Sequence, residues 1–205
     1  MTGEAEAIGR RWGAGPFGPA PDCMASRGGR AVYTVGHSTR ALDELIDLLR
    51  DAGVEALADV RRFPGSRRHP QFNRGSFEES CPERGIEYHW LGESLGGRRR
   101  EVVPVAASPN RAWQVAAFRH YADAIPTPEF VAGMEELERI ALRKATAFMC
   151  AERRWWQCHR RLLSDVMLVR GWTVVHLLER GKSSAHELTG WARVEEGVLT
   201  YPGLL

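Results

Sequence analysis

Phe148-Met149-Cys150-Ala151-Glu152-Arg153-Arg154-Trp155-Trp156-Gln157-Cys158-His159-Arg160 is the run whose reading decides the fold. From Ala145 to Cys150 the chain is apolar apart from Thr146 and is bounded by charge, the pattern of a strand buried on both faces of a parallel sheet. From Leu162 to Val169 apolar residues recur at helical spacing, and Gly171 ends the pattern. Between strand and helix lie two thiols, a carboxylate, an imidazole and several guanidinium groups. A strand that runs out into so loaded a loop, and then into a helix, predicts a site at the strand's carboxyl end.

The same alternation holds on either side of that run. Ala31 to Val35 reads as a buried strand broken at Gly36, which exposes His37, Ser38 and Thr39, with Ser38 or Thr39 expected to cap the next helix. Leu42, Leu45, Ile46, Leu48 and Leu49 form one broad helical face that closes at Gly53. Ala56 to Val60 is a second strand, with Asp59, Arg61 and Arg62 at its exit, and the helical crossover implies a parallel, right-handed unit. A polar connection turns at Pro64-Gly65-Ser66. Ser76 is expected to cap a short helix ending near Arg84-Gly85 and limited by Pro82. Ile86 to Leu91 alternates like an edge strand with one wet face.

Leu95-Gly96-Gly97-Arg98 reads as a flexible turn, and the stretch from Arg99 to Asn110 lacks pattern and is expected to be mobile. Trp113, Ala116, Ala117 and Tyr121 mark a helix, and Thr127-Pro128-Glu129 opens another that buries Phe130, Met134 and Leu137. Trp172 to Leu178 is the last buried strand. The tail, with turn signals at Gly181 and Pro202-Gly203, is expected to form a short hairpin or an irregular cap. These elements predict a single α/β domain over residues 30–205, a mainly parallel sheet flanked by helices in a Rossmann-like three-layer arrangement. Residues 1–29 are rich in Gly, Ala, Pro and Arg with no apolar h-region, which predicts a disordered extension rather than a signal peptide.

With 205 residues, 43% of them apolar, and a formal charge of +2, the chain suits one domain with a full core. That balance gives no global argument for nucleic-acid or membrane binding. Arginines are locally dense at Arg61-Arg62, Arg67-Arg68, Arg98 to Arg100 and Arg153-Arg154, where a solvated surface explains them equally well. No stretch approaches the roughly 20 apolar residues that span a bilayer. The four cysteines stand at scattered spacings, which points to reduced thiols in a cytoplasm.

In parallel sheets ligands bind beyond the carboxyl ends of the strands, so His37, Asp59, Arg61 and the loop from Cys150 to Arg160 are expected to converge. Three chemistries compete there. Cys158, at a helix start beside arginines, has the setting of a thiolate, against the plain reading of an inert buried thiol. The pattern speaks against a cysteine-phosphatase or sulfurtransferase loop, which needs an arginine six residues beyond the thiolate, where this chain has Trp156 after Cys150 and Ser164 after Cys158. Cys150, Cys158, His159 and His37 are zinc-ligand types, but no close cysteine pair exists in the sequence and no bound metal is expected. An anion site would use Arg61, Arg62 and Arg160 to fork onto phosphate, with Asp59, Glu152, His37 or His159 moving protons. A structural salt-bridge cluster would use the same residues.

Read together, Val35-Gly36-His37-Ser38-Thr39, Asp59-Val60-Arg61, Pro64-Gly65-Ser66, Leu95-Gly96-Gly97, Cys150-Ala151-Glu152 and Cys158-His159-Arg160 resemble a known family in order and kind. It is the family catalogued as domain of unknown function 488, and the resemblance covers roughly residues 30–178. It implies a cytoplasmic α/β domain with no settled activity. Cys81-Pro82 departs from it, where an apolar helix residue is expected. The candidate catalytic set is His37, Asp59, Glu152, Cys158 and His159. Ser38, Thr39, Arg61, Arg62, Ser66, Gly96, Gly97, Arg98, Cys150 and Arg160 form the candidate ligand-binding set. The expected function is that of a hydrolase or transferase on a phosphate-bearing substrate, a nucleotide or a nucleic-acid end. Its rivals are a non-catalytic nucleotide- or anion-binding module and a thiol-dependent redox or metal-binding protein. The sequence names no cofactor and no membrane partner.

Overall fold

Strands β1 (Ala31–Gly36), β2 (Ala56–Asp59), β3 (Glu87–Trp90), β4 (Thr146–Cys150), β5 (Thr173–Glu179) and β6 (Lys182–Ala185) form one sheet in the order β3-β2-β4-β1-β5-β6. All neighbours run parallel except β5 and β6. The structure is a computed structural model that describes residues 30–203, so the extension expected over residues 1–29 lies outside the described residues. Strand β4 is buried along its whole length between β1 and β2, as its apolar run requires. The register sets Gly36 beside Cys150 and Asp59 beside Met149, so three strand ends lie level.

Two apolar layers cover the sheet. On one face α1 (Leu42–Asp51) and α2 (Arg74–Glu83) pack Leu45, Leu49 and Phe77 against Val35, Leu57 and Met149. On the other, α4 (Ala116–Ala124), α5 (Pro128–Ala141) and α6 (Arg160–Val169) pack Tyr121, Phe130 and Leu163 against Val32, Ala58 and Phe148. The helical turn α3 (Gly92–Leu95) adds Leu95 to this layer. Successive side chains of β4 feed opposite layers, Phe148 one and Met149 the other. The chain leaves β1 and β2 towards the first layer and β4 towards the second. Neighbouring strands whose connections part in this way open a crevice at their carboxyl ends.

Several local expectations are corrected. The cap of α1 is Ala41 rather than Ser38 or Thr39, and it makes no side-chain bond. Arg40 takes up the space before it, folding back so that its guanidinium donates to the Gly36 and Leu178 carbonyls and ties β1 to β5. Helix α2 starts at Arg74, ahead of Ser76, whose hydroxyl donates to the Pro70 carbonyl at 3.0 Å. Pro82 sits in its last turn, and Cys81, fully buried, fills the apolar position. Gly96 is a close-packing residue rather than a flexible one: a Cβ there would lie 2.2 Å from the Gly92 carbonyl oxygen and 2.9 Å from the Arg62 Cα.

The stretch from Arg99 to Asn110 is irregular, yet its end is pinned, with Ser108 Oγ and Asn110 Nδ2 each donating at 2.7 Å to Asp123 Oδ1. Helix α5 starts as expected, Thr127 Oγ1 accepting from the Phe130 amide at 3.4 Å with Pro128 at the first helical position. Strand β5 is the last buried strand of the sheet, as expected, and one mostly exposed strand follows it. The chain turns at Gly181 (φ 70°) and returns as β6. The tail hairpin, β7 (Arg193–Glu195) with β8 (Val198–Thr200), turns at Glu196-Gly197 and not at Pro202-Gly203. No described helix is long and apolar enough to cross a membrane.

Candidate functional site

A cavity of about 510 Å³ opens at the carboxyl ends of β2 and β4, within the size range of small-molecule sites. Cys150, Cys158 and His159 line it together with Arg61, Arg62, Arg98 and Glu152, and Phe63 and Phe118 add aromatic surface. Gly97 also lies on the wall, where a Cβ would come 2.9 Å from His159 Nδ1.

The loop after β4 is held under β1 by backbone pairing that continues past the strands. The His37 amide donates to the Cys150 carbonyl at 3.0 Å and the Ser38 amide to that of Ala151 at 2.9 Å. Only glycine fits at position 36, since a Cβ would stand 2.0 Å from the Glu152 carbonyl oxygen. Arg160 fastens the same loop. It is 1% exposed, with Nη1 donating to Thr34 Oγ1 at 3.0 Å and Nη2 to the Glu152 carbonyl. Side chains of a helix lean towards its N-terminus, and at the first position of α6 that direction leads beneath the loop. Arg160, expected to reach a ligand, does not line the cavity.

Asp59 and His37, expected as catalytic groups, also stand behind the wall, where they position Arg61. Asp59 is fully buried and takes Arg61 Nε on Oδ1 at 2.8 Å, Arg61 Nη2 on Oδ2, and the Tyr88 hydroxyl on Oδ2 at 2.7 Å. His37 Nδ1–H donates to the Ser38 carbonyl at 2.9 Å, which leaves Nε2 to accept from Arg61 Nη1 at 3.1 Å. Burial first, and the Arg61 charge second, lower the His37 pKa to about 4, against the opposing bond to Ser38. His37 is thus a neutral acceptor at pH 7. Burial alone would lower the Arg61 pKa, but the bonds and charge of Asp59 outweigh it and raise it.

The thiols come together across the loop that separates them in sequence. His159 Nδ1 lies 3.6 Å from Cys158 Sγ and 3.9 Å from Cys150 Sγ, while Nε2 donates to the Val60 carbonyl at 3.1 Å. Burial pushes the Cys158 thiol up, but its hydrogen bond with Cys150 and the neighbouring Arg160 prevail and bring it down to about 6. The same hydrogen bond, with burial second, pushes Cys150 up to about 12.

Among the other residues expected to bind a ligand, Arg62, Gly97 and Arg98 line the cavity, whereas Ser38, Thr39, Ser66 and Gly96 do not. Ser66 Oγ instead caps its own turn, accepting from the Arg68 and His69 amides at 3.2 and 3.1 Å. Arg98 holds a left-handed backbone (φ 55°) and makes no bond to any described residue. Phe63, 69% exposed, was missed. Its only signal was an apolar ring directly after Arg61-Arg62 in a polar connection. A second cluster was missed altogether: Asp165 on α6, His186 and His176 form a buried chain with 3.0 Å links, beneath Trp155 stacked 4.0 Å from the His176 ring. Its members come from three elements, so no spacing announces it.

The family described as "Domain of unknown function DUF488" matches residues 41–167. That span contains every cavity residue from Arg61 to His159 and leaves out the β1 exit at His37. No curated protein and no solved structure matches the chain.

Proposed function

We propose, for a chain that belongs to the DUF488 family, that it is a hydrolase or transferase acting on a phosphate-bearing substrate, a nucleotide or a nucleic-acid end. The observation that carries this reading is Arg98. A left-handed backbone at a residue with a Cβ costs about 1–2 kcal/mol, and such outliers persist where a site uses them. Arg98 lines the cavity together with Arg61 and Arg62, and its guanidinium has no partner among the described residues. Guanidinium groups fork onto phosphate oxygens, and Phe63 and Phe118 offer faces on which a base stacks. Glu152 is exposed on the same wall, free of any ion pair to a described residue, and is the carboxylate available to move a proton. Asp59 and His37 act through Arg61. A cytoplasmic location, where thiols stay reduced, belongs to the same proposal.

Calorimetric titration of the full chain with pyrophosphate and mononucleotides tests it. At least one should bind, and Arg98→Ala should weaken binding about ten- to a hundredfold, the worth of one hydrogen bond to a charged group. Because Arg98 is exposed and unpaired, the variant should melt like the wild type. No binding by any phosphate-bearing compound, or equal binding by Arg98→Ala, sinks the reading.

A further inference from the structure

The geometry points to a site for one thiophilic divalent metal ion of the zinc class, held by Cys150 Sγ, Cys158 Sγ and His159 Nδ1, with its fourth position open to the cavity. The three ligand atoms lie within 4.8 Å of one another, and among the described residues this is the one such cluster of cysteine, histidine and carboxylate groups. Their spacing is that of a coordination sphere. A tetrahedral zinc with bonds of about 2.3 Å to sulfur and about 2.0–2.1 Å to nitrogen sets those ligands about 3.6 Å apart. The two sulfur-to-nitrogen distances are 3.6 and 3.9 Å.

The imidazole is oriented as a ligand. The Val60 carbonyl can only accept, so Nε2 carries the proton and Nδ1 turns its lone pair to the sulfurs. Space is reserved there as well, because position 97 is glycine and a Cβ would crowd Nδ1 at 2.9 Å. Two thiolates neutralise the dication. The cysteines are 8% and 3% exposed, and all three ligands line the cavity, so the remaining position faces inward to water or to substrate. Three protein ligands with one open position is the arrangement of catalytic rather than structural zinc. Metal binding itself is independent of the phosphate reading. Only the occupant of the fourth position, a phosphate oxygen, rests on that reading.

In sequence no two of the cysteines stand close together, which hides the ligand set. Here the strand, the loop and the start of the helix double back, so residues eight apart meet in space.

Cobalt(II) serves as the probe. The reduced full chain, stripped by a chelator, is titrated with cobalt(II) in phosphate-free buffer and followed by absorption. One equivalent should produce a near-ultraviolet thiolate charge-transfer band and intense visible bands, and one equivalent of zinc(II) should abolish both. Cys150→Ser and His159→Ala should each weaken binding at least about a hundredfold, beyond the 10–100-fold typical of an outer partner. Gly97→Ala, which removes no ligand, should weaken it as well. Cys81→Ser and Cys23→Ser should bind like the wild type, and circular dichroism checks that every variant is folded. Absence of the charge-transfer band in the reduced wild type overturns the site, as does its survival in folded Cys150→Ser. Since the titration contains no phosphate, its failure is separable from failure of the Arg98 test.

Discussion

Arg61, only 8% exposed, stands in the cavity wall with its charge balanced by the fully buried Asp59. Removing one partner of such a pair leaves the other charge buried, at a cost of about 3–5 kcal/mol. Asp59→Ala should therefore lower the urea-unfolding free energy by that much, and an exposed-pair value below about 1 kcal/mol would show that Arg61 finds water instead. Residue by residue, the sequence showed which chemistry gathers at the strand exits but not which way each group turns. Arg61 and Arg160 both follow a strand, Arg61 closely and Arg160 after the loop 151–159, and neither position tells which way the side chain turns. Only the point where α6 begins sends Arg160 inward to Thr34, while Asp59 swings Arg61 to the wall. Phe63 was illegible for a related reason: an apolar residue in a polar loop carries no periodicity.

Among the elements, β5 carries the next prediction. His176 lies on it, 1% exposed, facing His186, Trp155 and the Arg160 charge, with Nδ1 unpartnered. Burial first, then His186, then Arg160, lower its pKa from 6.5 to about 2. The unfolded chain therefore takes up a proton below about pH 6.5 that the folded chain refuses. This contribution to stability is fully present above that pH and is lost as the pH falls, by about 1.4 kcal/mol per unit. Urea midpoints measured from pH 7 to pH 5 should fall, and less steeply in His176→Gln. Equal slopes would mean that His176 titrates alike in both states. Buried strands such as β1 and β4 were legible because they are apolar on both faces. Strand β6, Lys182-Ser183-Ser184-Ala185, is polar and mostly exposed at the sheet edge, and its sequence resembles a loop. Helix α2 was half legible: its cap was sought in Ser76, but Asn73 precedes the helix and spends its side chain on the Ser66 amide at 2.6 Å.

For the molecule as a whole, the three layers follow from alternating strand and helix patterns, yet the strand order does not. Strand β4 enters late in the chain and inserts between β1 and β2, and apolar runs carry no label for their neighbours. That insertion makes the site a property of long-range pairing, since the thiol loop is aligned only when residues far apart in sequence are zipped together. The pairing of His37 and Ser38 with the loop beyond β4 has a kinetic consequence. These two amides sit in what looks like a surface turn, but their hydrogens are locked to Cys150 and Ala151. Solvent deuterium should reach them only when β1 parts from β4, on the slow timescale of sub-global opening, while unpaired loop amides exchange at once. Residue-resolved exchange by nuclear magnetic resonance should place both amides in the slowest class, with those of Val35 and Met149. Exchange of Ser38 at loop-like rates would instead mean that the cavity's inner wall breathes independently of the sheet.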